Sequence, residues 1–272
     1  MTTDQPSLPS SPPETTPAAK NPARAPVSFI YRGEGTGPWQ RFVWGCGKVI
    51  SYVITIVLFR LHVRGQNNIP RTGGVMLLSN HQSFLDPWLI TVAPRRQLHY
   101  MARDTLFKGG FTQWIAEMYN TFPVRRGSAD LAAVRIAVER LDKGQIVTIF
   151  PEGTRSEDGT IQPVIPGFSL ILNRCKTDVS LQTVVLDGAF DAWPRHAKFP
   201  RPHAIRIAYG KPIPPSVWKE LSPDQLASRI RQEFINLQDT LQSPHAAASR
   251  ERFAADLAKA PPEETASRKR RR

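Results

Sequence analysis

Two short apolar runs, Val75-Met76-Leu77-Leu78 and Ile146-Val147-Thr148-Ile149, each give way at once to a polar loop. An apolar run of four bounded by turn residues suits a strand buried on both faces. The loops are Asn80-His81-Gln82-Ser83-Phe84-Leu85-Asp86-Pro87 and Phe150-Pro151-Glu152-Gly153-Thr154-Arg155-Ser156. Between them lies a helical pattern from Ser128 to Lys143, with Leu131, Val134, Val138 and Leu141 on one face and Gly144 as its stop. Strands alternating with helices predict an α/β domain with a mixed, mostly parallel sheet flanked by helices.

The same reading places further strands at Phe59–Arg64, with Phe59, Leu61 and Val63 alternating with a wet face, and at Leu98–Ala102, Thr183–Leu186 and Ile205–Ala208. Helices are expected at Trp88–Val92 and Phe107–Met118. Ser222-Pro223-Asp224-Gln225 forms a capping box with Pro at the first helical position. It opens a helix whose buried face is Leu226, Ile230, Phe234, Leu237 and Leu241.

Four segments follow. Residues 1–28 are polar and Pro-rich, with too little apolar surface to offset ordering entropy, and are expected to be disordered. Residues 29–60 hold the most apolar stretch. Phe42, Val43, Cys46, Val49, Ile50, Val53, Ile56 and Val57 make one helical stripe from which Lys48, Ser51 and Thr55 fall off. A spanning helix needs about 20 predominantly apolar residues. With Lys48 inside, the stretch reads as a membrane-associated helix lying in the interface, with Trp39, Trp44 and Tyr52 near the headgroups. A single span and a helix packed on the protein's own core are the alternatives. Residues 61–242 form the α/β domain. Residues 243–272 read as a frayed basic tail ending in Arg268-Lys269-Arg270-Arg271-Arg272.

The formal charge of +13 implies an anionic partner: lipid headgroups, nucleic acid or acidic small molecules. Cys46 and Cys175 are far apart and offer neither a disulfide framework nor metal-ligand spacing. They suit a reducing, cytosolic face.

The two loops carry the chemistry. A neutral imidazole accepts a proton near pH 7, provided its other ring nitrogen donates to an acceptor. Asp86, five residues after His81, is placed to be that acceptor, and Pro87 disfavours the α conformation at Asp86. Taken alone, the spacing is a weak signal, since both residues could simply cap turns. In the second loop, glycine permits close backbone approach to a ligand, and the Arg155 guanidinium suits bidentate phosphate contact. Phe122-Pro123-Val124-Arg125-Arg126-Gly127 adds two guanidiniums, whose plain alternative is a solvated basic patch.

In this order the segments resemble the glycerolipid acyltransferases, best known from the 1-acyl-glycerol-3-phosphate acyltransferases. Asn80, His81 and Asp86 fit the first motif, N-H-x₄-D. Phe122–Arg126 matches the second, and Phe150–Ser156 meets the third, F-P-E-G-T-R-S, without a change. The resemblance covers roughly Val63 to Tyr209. It implies that His81, oriented by Asp86, deprotonates a glycerol hydroxyl. The hydroxyl then attacks the thioester of acyl-CoA or acyl-carrier protein, with no acyl-enzyme and no cofactor or metal. It places the acceptor phosphate near Arg126 and Arg155, with Arg125 beside them, while Glu152, Gly153 and Thr154 shape the acceptor site. Expected partners are membrane lipid, a lysophospholipid acceptor and the thioester carrier, not a specific nucleic acid. The expected location is the cytoplasmic face of the plasma membrane.

The chain departs from the family twice. Val164-Ile165-Pro166-Gly167 stands where F-K-x-G is usual, so the Lys is absent. Gln182-Thr183-Val184-Val185 replaces a V-P-V-type strand, although Asp187-Gly188 follows as expected. These changes fall on acceptor contacts and open a non-phosphate acceptor such as a lyso-aminolipid. Two other classes stay open: a hydrolase activating water on a thioester, and a basic membrane- or nucleic-acid-binding module.

Overall fold

The computed structural model of the chain describes residues 38–103, 120–124 and 130–259. The expected disorder of 1–28, the helix at 107–118, the paired Arg125 and Arg126, and the terminal basic run lie outside them.

A seven-stranded sheet has the order β1-β7-β6-β2-β5-β3-β4. Its strands are β1 (His62–Arg64), β2 (Gly74–Ser79), β3 (Leu98–Arg103), β4 (Phe122–Val124), β5 (Ile146–Ile149), β6 (Val179–Asp187) and β7 (Arg206–Tyr209). β2 pairs in parallel with both β5 and β6, and β5, β3 and β4 continue in parallel. β7 runs antiparallel to β6, and β1 parallel to β7, so the sheet is mixed. The carboxyl ends of β2, β5 and β6 therefore open on one edge, where open α/β sheets place their ligands.

Every residue of β2 and β5 is buried. Alternation along β2 sends Met76 and Leu78 into one core layer and Val75 and Leu77 into the other. Each such side chain stabilises the fold by roughly 1.5–3 kcal/mol. One layer is covered by α3 (Leu131–Asp142) and α4 (Pro223–Thr240). The other lies beneath α2 (Asp86–Val92) and the end of α1 (Pro38–Phe59). The capping box at Ser222 and Gln225 forms as expected. Leu226, Ile230, Phe234 and Leu241 are buried on α4, with Leu237 packed partly against them.

Four details differ from the sequence reading. Phe59, expected to open a strand, is the last residue of α1, and β1 covers only His62–Arg64. Helix α3 buries Ala133, Ala137, Arg140 and Leu141, while Leu131 stays 59% exposed. Its small alanines allow close approach to the sheet, and the Arg140 guanidinium lies over the Phe122 ring at 5.1 Å. Asp86 is not held in a loop conformation but is the first residue of α2, with Pro87 second. The segment expected to fray beyond Ser243 instead forms helix α5 (Ala246–Lys259). Arg231 of α4 pairs with Asp256 at 2.8 Å and lies over the Phe253 ring at 5.0 Å, tying α5 down.

Helix α1 exists, with its apolar stripe turned outward. Phe42, Val49, Ile50, Val53, Ile56 and Val57 are exposed, whereas Ser51, Thr55 and Phe59 are buried. The small face at Gly47, Ser51 and Thr55 lets α1 lie close to its contact helix α2. The Thr55 hydroxyl is satisfied by the Tyr52 carbonyl at 2.9 Å. Among the described residues, no helix is long and apolar enough to cross a membrane.

Candidate active site

β2 ends at Ser79, and the next residue fastens the chain back to the sheet. The Asn80 amide donates from Nδ2 to the Leu186 carbonyl at 2.9 Å and accepts from the Leu186 amide at 2.8 Å. One buried side chain thus extends the β2–β6 ladder by a step while its backbone turns away. Gln82 fixes the turn from the other side, donating to the Gly159 carbonyl at 2.9 Å and accepting from the Phe190 amide. Ser83 Oγ donates to the Trp193 carbonyl.

His81 projects from this fastened turn. Its Nδ1 lies 2.7 Å from Asp86 Oδ2. The same oxygen accepts the Gln82 amide at 2.7 Å and the Ser83 amide at 2.9 Å. Asp86 is fully buried, and the three N–H groups that converge on Oδ2 offset the loss of water there, while Oδ1 has no hydrogen-bond partner among the described residues. A carboxylate only accepts, so Nδ1 donates to Asp86, and in the neutral imidazole Nε2 keeps its lone pair. The ring stacks on Phe150, centroids 4.2 Å apart, and the side chain remains 19% exposed. A stacked, hydrogen-bonded imidazole with an unprotonated nitrogen is equipped to take a proton from a neighbouring hydroxyl.

The loop after β5 grips the backbone of His81 on both sides. The His81 amide donates to Glu152 Oε2 at 3.0 Å, and its carbonyl accepts from the Ser156 amide at 2.7 Å. Glu152 Oε1 accepts the Gln162 amide at 3.2 Å. Glu152, expected to shape the acceptor site, is thus 5% exposed with both oxygens engaged by amides. Burial pushes its carboxyl up to about 8. The Asp86 charge adds to the rise, and the two amides and Arg231 pull against it.

Gly153, Thr154 and Arg155 follow on the same loop, Thr154 exposed and Arg155 half-buried. Gly153 has φ +71°, and a Cβ there would lie 3.1 Å from Ile165 Cδ1. Ile165 stands where the family usually has Lys, is 56% exposed, and its amide donates to the Pro151 carbonyl. Arg125 and Arg126 lie outside the described residues and directly follow β4, whose partner is β3. Gln182, in the other departing segment, is buried inside β6 and donates to the Gly210 carbonyl at 2.9 Å. Gly188 ends β6 with φ +82°, where a Cβ would meet the Ala204 carbonyl at 2.3 Å.

A brace behind the second loop escaped the sequence reading. Arg252 of α5 donates from Nη2 to Asp158 Oδ2 at 2.7 Å and from Nη1 to Thr160 Oγ1 at 2.6 Å. Ser249 Oγ accepts the Ile161 amide at 3.0 Å. Hydrogen bonds from Thr160 and Arg252 outweigh partial burial and hold the Asp158 carboxyl down at about 2. The signal was present in Ala246–Lys259, whose Ala, Arg, Glu and Leu are strong helix formers. Neither cysteine takes part in these contacts. Cys46 is exposed on α1, and burial, with help from Asp142, pushes the Cys175 thiol up to about 11.

Residues 60–187 match the acyltransferase family model. The 1-acyl-sn-glycerol-3-phosphate acyltransferase LPAT1 of Arabidopsis thaliana chloroplasts is 26% identical over 181 residues, 65% of this chain and 50% of that protein. The alpha enzyme of the same name from Mus musculus is 28% identical over 186 residues, 65% of this chain and 63% of its own length. This chain thus matches half to under two thirds of those relatives' length. The crystal structure of the 1-acyl-sn-glycerophosphate (LPA) acyltransferase PlsC from Thermotoga maritima superposes with TM-score 0.63. It is 21% identical and covers 78% of this chain and 87% of that one, a likeness of fold.

Proposed function

We propose that the chain is an acyltransferase like those it resembles, moving an acyl group from a thioester to the hydroxyl of a lysophospholipid at a membrane surface. The relatives' names point to 1-acyl-sn-glycerol-3-phosphate as acceptor and phosphatidic acid as product. The observation that carries the reading is the His81–Asp86 pair, 2.7 Å apart at the carboxyl end of β2.

In the reaction, Nε2 of His81 takes the proton of the acceptor hydroxyl while its oxygen attacks the thioester carbonyl. The new C–O bond forms, the C–S bond breaks, and the imidazolium returns its proton to the departing thiolate. Asp86 keeps the ring in the useful tautomer and stabilises the transient charge. A positioned base contributes on the order of 10²–10⁴-fold, and fixed orientation adds to that. The raised Cys175 thiol is a poor nucleophile, which fits direct transfer without an acyl-enzyme. Arg155, with Arg126 and Arg125, takes the acceptor phosphate, and Gly153 and Thr154 give it room. Glu152 serves the base from behind. The donor is acyl-CoA or acyl-carrier protein. The outward apolar face of α1 holds the enzyme to the bilayer, on the cytoplasmic face of the plasma membrane.

A second reading rests on Ile165. An exposed apolar side chain beside Gly153 leaves the acceptor site without the cation usual in the family, which favours a lyso-aminolipid. One labelled acyl thioester offered to lysophosphatidic acid, to a lyso-aminolipid and to water alone tests both. Label in phosphatidic acid supports the first reading, and label in the diacyl aminolipid the second. Free fatty acid as the sole product would refute transfer.

A further inference from the structure

The segment between β6 and β7 is a long excursion with a fixed shape. Trp193 Nε1 donates to the Ala197 carbonyl at 2.9 Å, and the Ala197 amide to the Pro194 carbonyl at 3.0 Å. The Arg201 amide donates to the Ala192 carbonyl at 2.8 Å and its Nε to the Asp191 carbonyl at 2.8 Å. These bonds secure the base and leave the tip outward. Phe199 is 81% exposed, more than any other large apolar side chain among the described residues. Around it stand Arg195, Lys198 and Arg201, all exposed, and Pro194 to Pro202 contains no acid. A loop held this firmly gains nothing in folding from a Phe in water, since burial is what makes that side chain stabilising.

The loop adjoins α1. The Ile205 amide at its end donates to the carbonyl of Phe59, the last residue of α1, at 2.8 Å. Trp193, Ile205 and Phe59 also share one core layer. Helix α1 shows Val49, Ile50, Val53 and Val57 to the outside and contains no acidic residue. An apolar helix face beside a basic loop tipped with an aromatic matches the two demands of an anionic bilayer surface, acyl-chain contact and headgroup charge.

We infer that the 194–202 loop is a second membrane contact, which inserts Phe199 among anionic headgroups and works with α1. The inference rests on the reading that the enzyme operates at a bilayer. Binding at an interface strengthens with buried apolar area and with attraction to anionic lipid, so a basic, aromatic-tipped contact adds to that of α1. The loop leads back through Trp193 to Ser83, so this contact also sets how the His81 turn faces the bilayer.

Cosedimentation of the full chain with phosphatidylglycerol vesicles tests this without turnover. Lys198→Glu combined with Phe199→Ser is expected to weaken partitioning by about tenfold or more, with a smaller change on phosphatidylcholine. Transfer to a short-chain acceptor in detergent should be unchanged. Val53→Asp with Val57→Asp on α1 should weaken partitioning separately. If only the α1 variant releases the protein, the loop contact is wrong while membrane attachment stands. If neither does, attachment itself is wrong. Unchanged vesicle binding with a raised KM for acyl-CoA would overturn the inference in favour of a carrier phosphate site. That site would be the cleft of about 510 Å³ lined by Glu157, Phe190, Arg195 and His196.

Discussion

The loops after β2 and β5 leave neighbouring parallel strands on the same edge of the sheet, yet their side chains do opposite things. In the first, His81 keeps an unprotonated nitrogen and a partly exposed ring while Asp86 is consumed holding it. In the second, the most chemically suggestive group, the Glu152 carboxyl, faces inward and is taken up by the amides of His81 and Gln162. The first loop holds out the imidazole, and Glu152 of the second fixes where it stands. The second loop is in turn fixed by α5, which lies outside the matched residues 60–187.

Breaking the first loop should do the most damage. His81→Ala is expected to lower kcat by about 10²–10⁴-fold with the fold intact, checked by steady-state transfer assay alongside circular dichroism. Asp86→Asn should cost less, roughly 10²-fold, because the ring loses orientation before it loses basicity. Breaking the brace should cost less again. Arg252→Ala frees Asp158 and Thr160 from α5, and a small displacement of His81 is expected to reduce kcat roughly tenfold with KM unchanged. Partial recovery in Arg252→Lys, and faster hydrogen exchange at the Ser156 amide in Arg252→Ala, would separate positioning from simple loss of stability.

The last effect is a pH slope, read on stability and not on rate. The Glu152 carboxyl sits at about 8 in the fold against an ordinary 4.5. Between those values the fold holds a proton that the unfolded chain has released, so this group makes stability fall as pH rises through that window. Glu152→Gln should remove about one proton's worth of that slope, read as the difference between wild-type and variant denaturation midpoints from pH 5 to 8. An unchanged slope would mean that Glu152 is not held as described.

Much of this architecture was legible because burial writes itself into sequence as runs and periods. Val75–Leu78 and Ile146–Ile149 announced buried strands, and Ser222 with Gln225 announced the start of α4. The His81–Asp86 pairing was also within reach, since both residues lie on one short turn. The contacts that fix them were not. The Asn80–Leu186, Glu152–His81 and Arg252–Asp158 links join residues 106, 71 and 94 positions apart. No local pattern encodes such pairings. The spacing on α1 says which residues share a face and not which face meets the protein. There the small Gly47, Ser51 and Thr55 won the contact because they allow α2 to approach closely.

The central claim is direct transfer from thioester to alcohol by the base at His81. Rapid quenching of wild-type enzyme with labelled acyl-CoA and lysophosphatidic acid tests it in one vessel. The account requires label to pass into phosphatidic acid with none on the protein, and His81→Ala to leave it on the donor. Label trapped on the chain, or released to water regardless of acceptor, would contradict it.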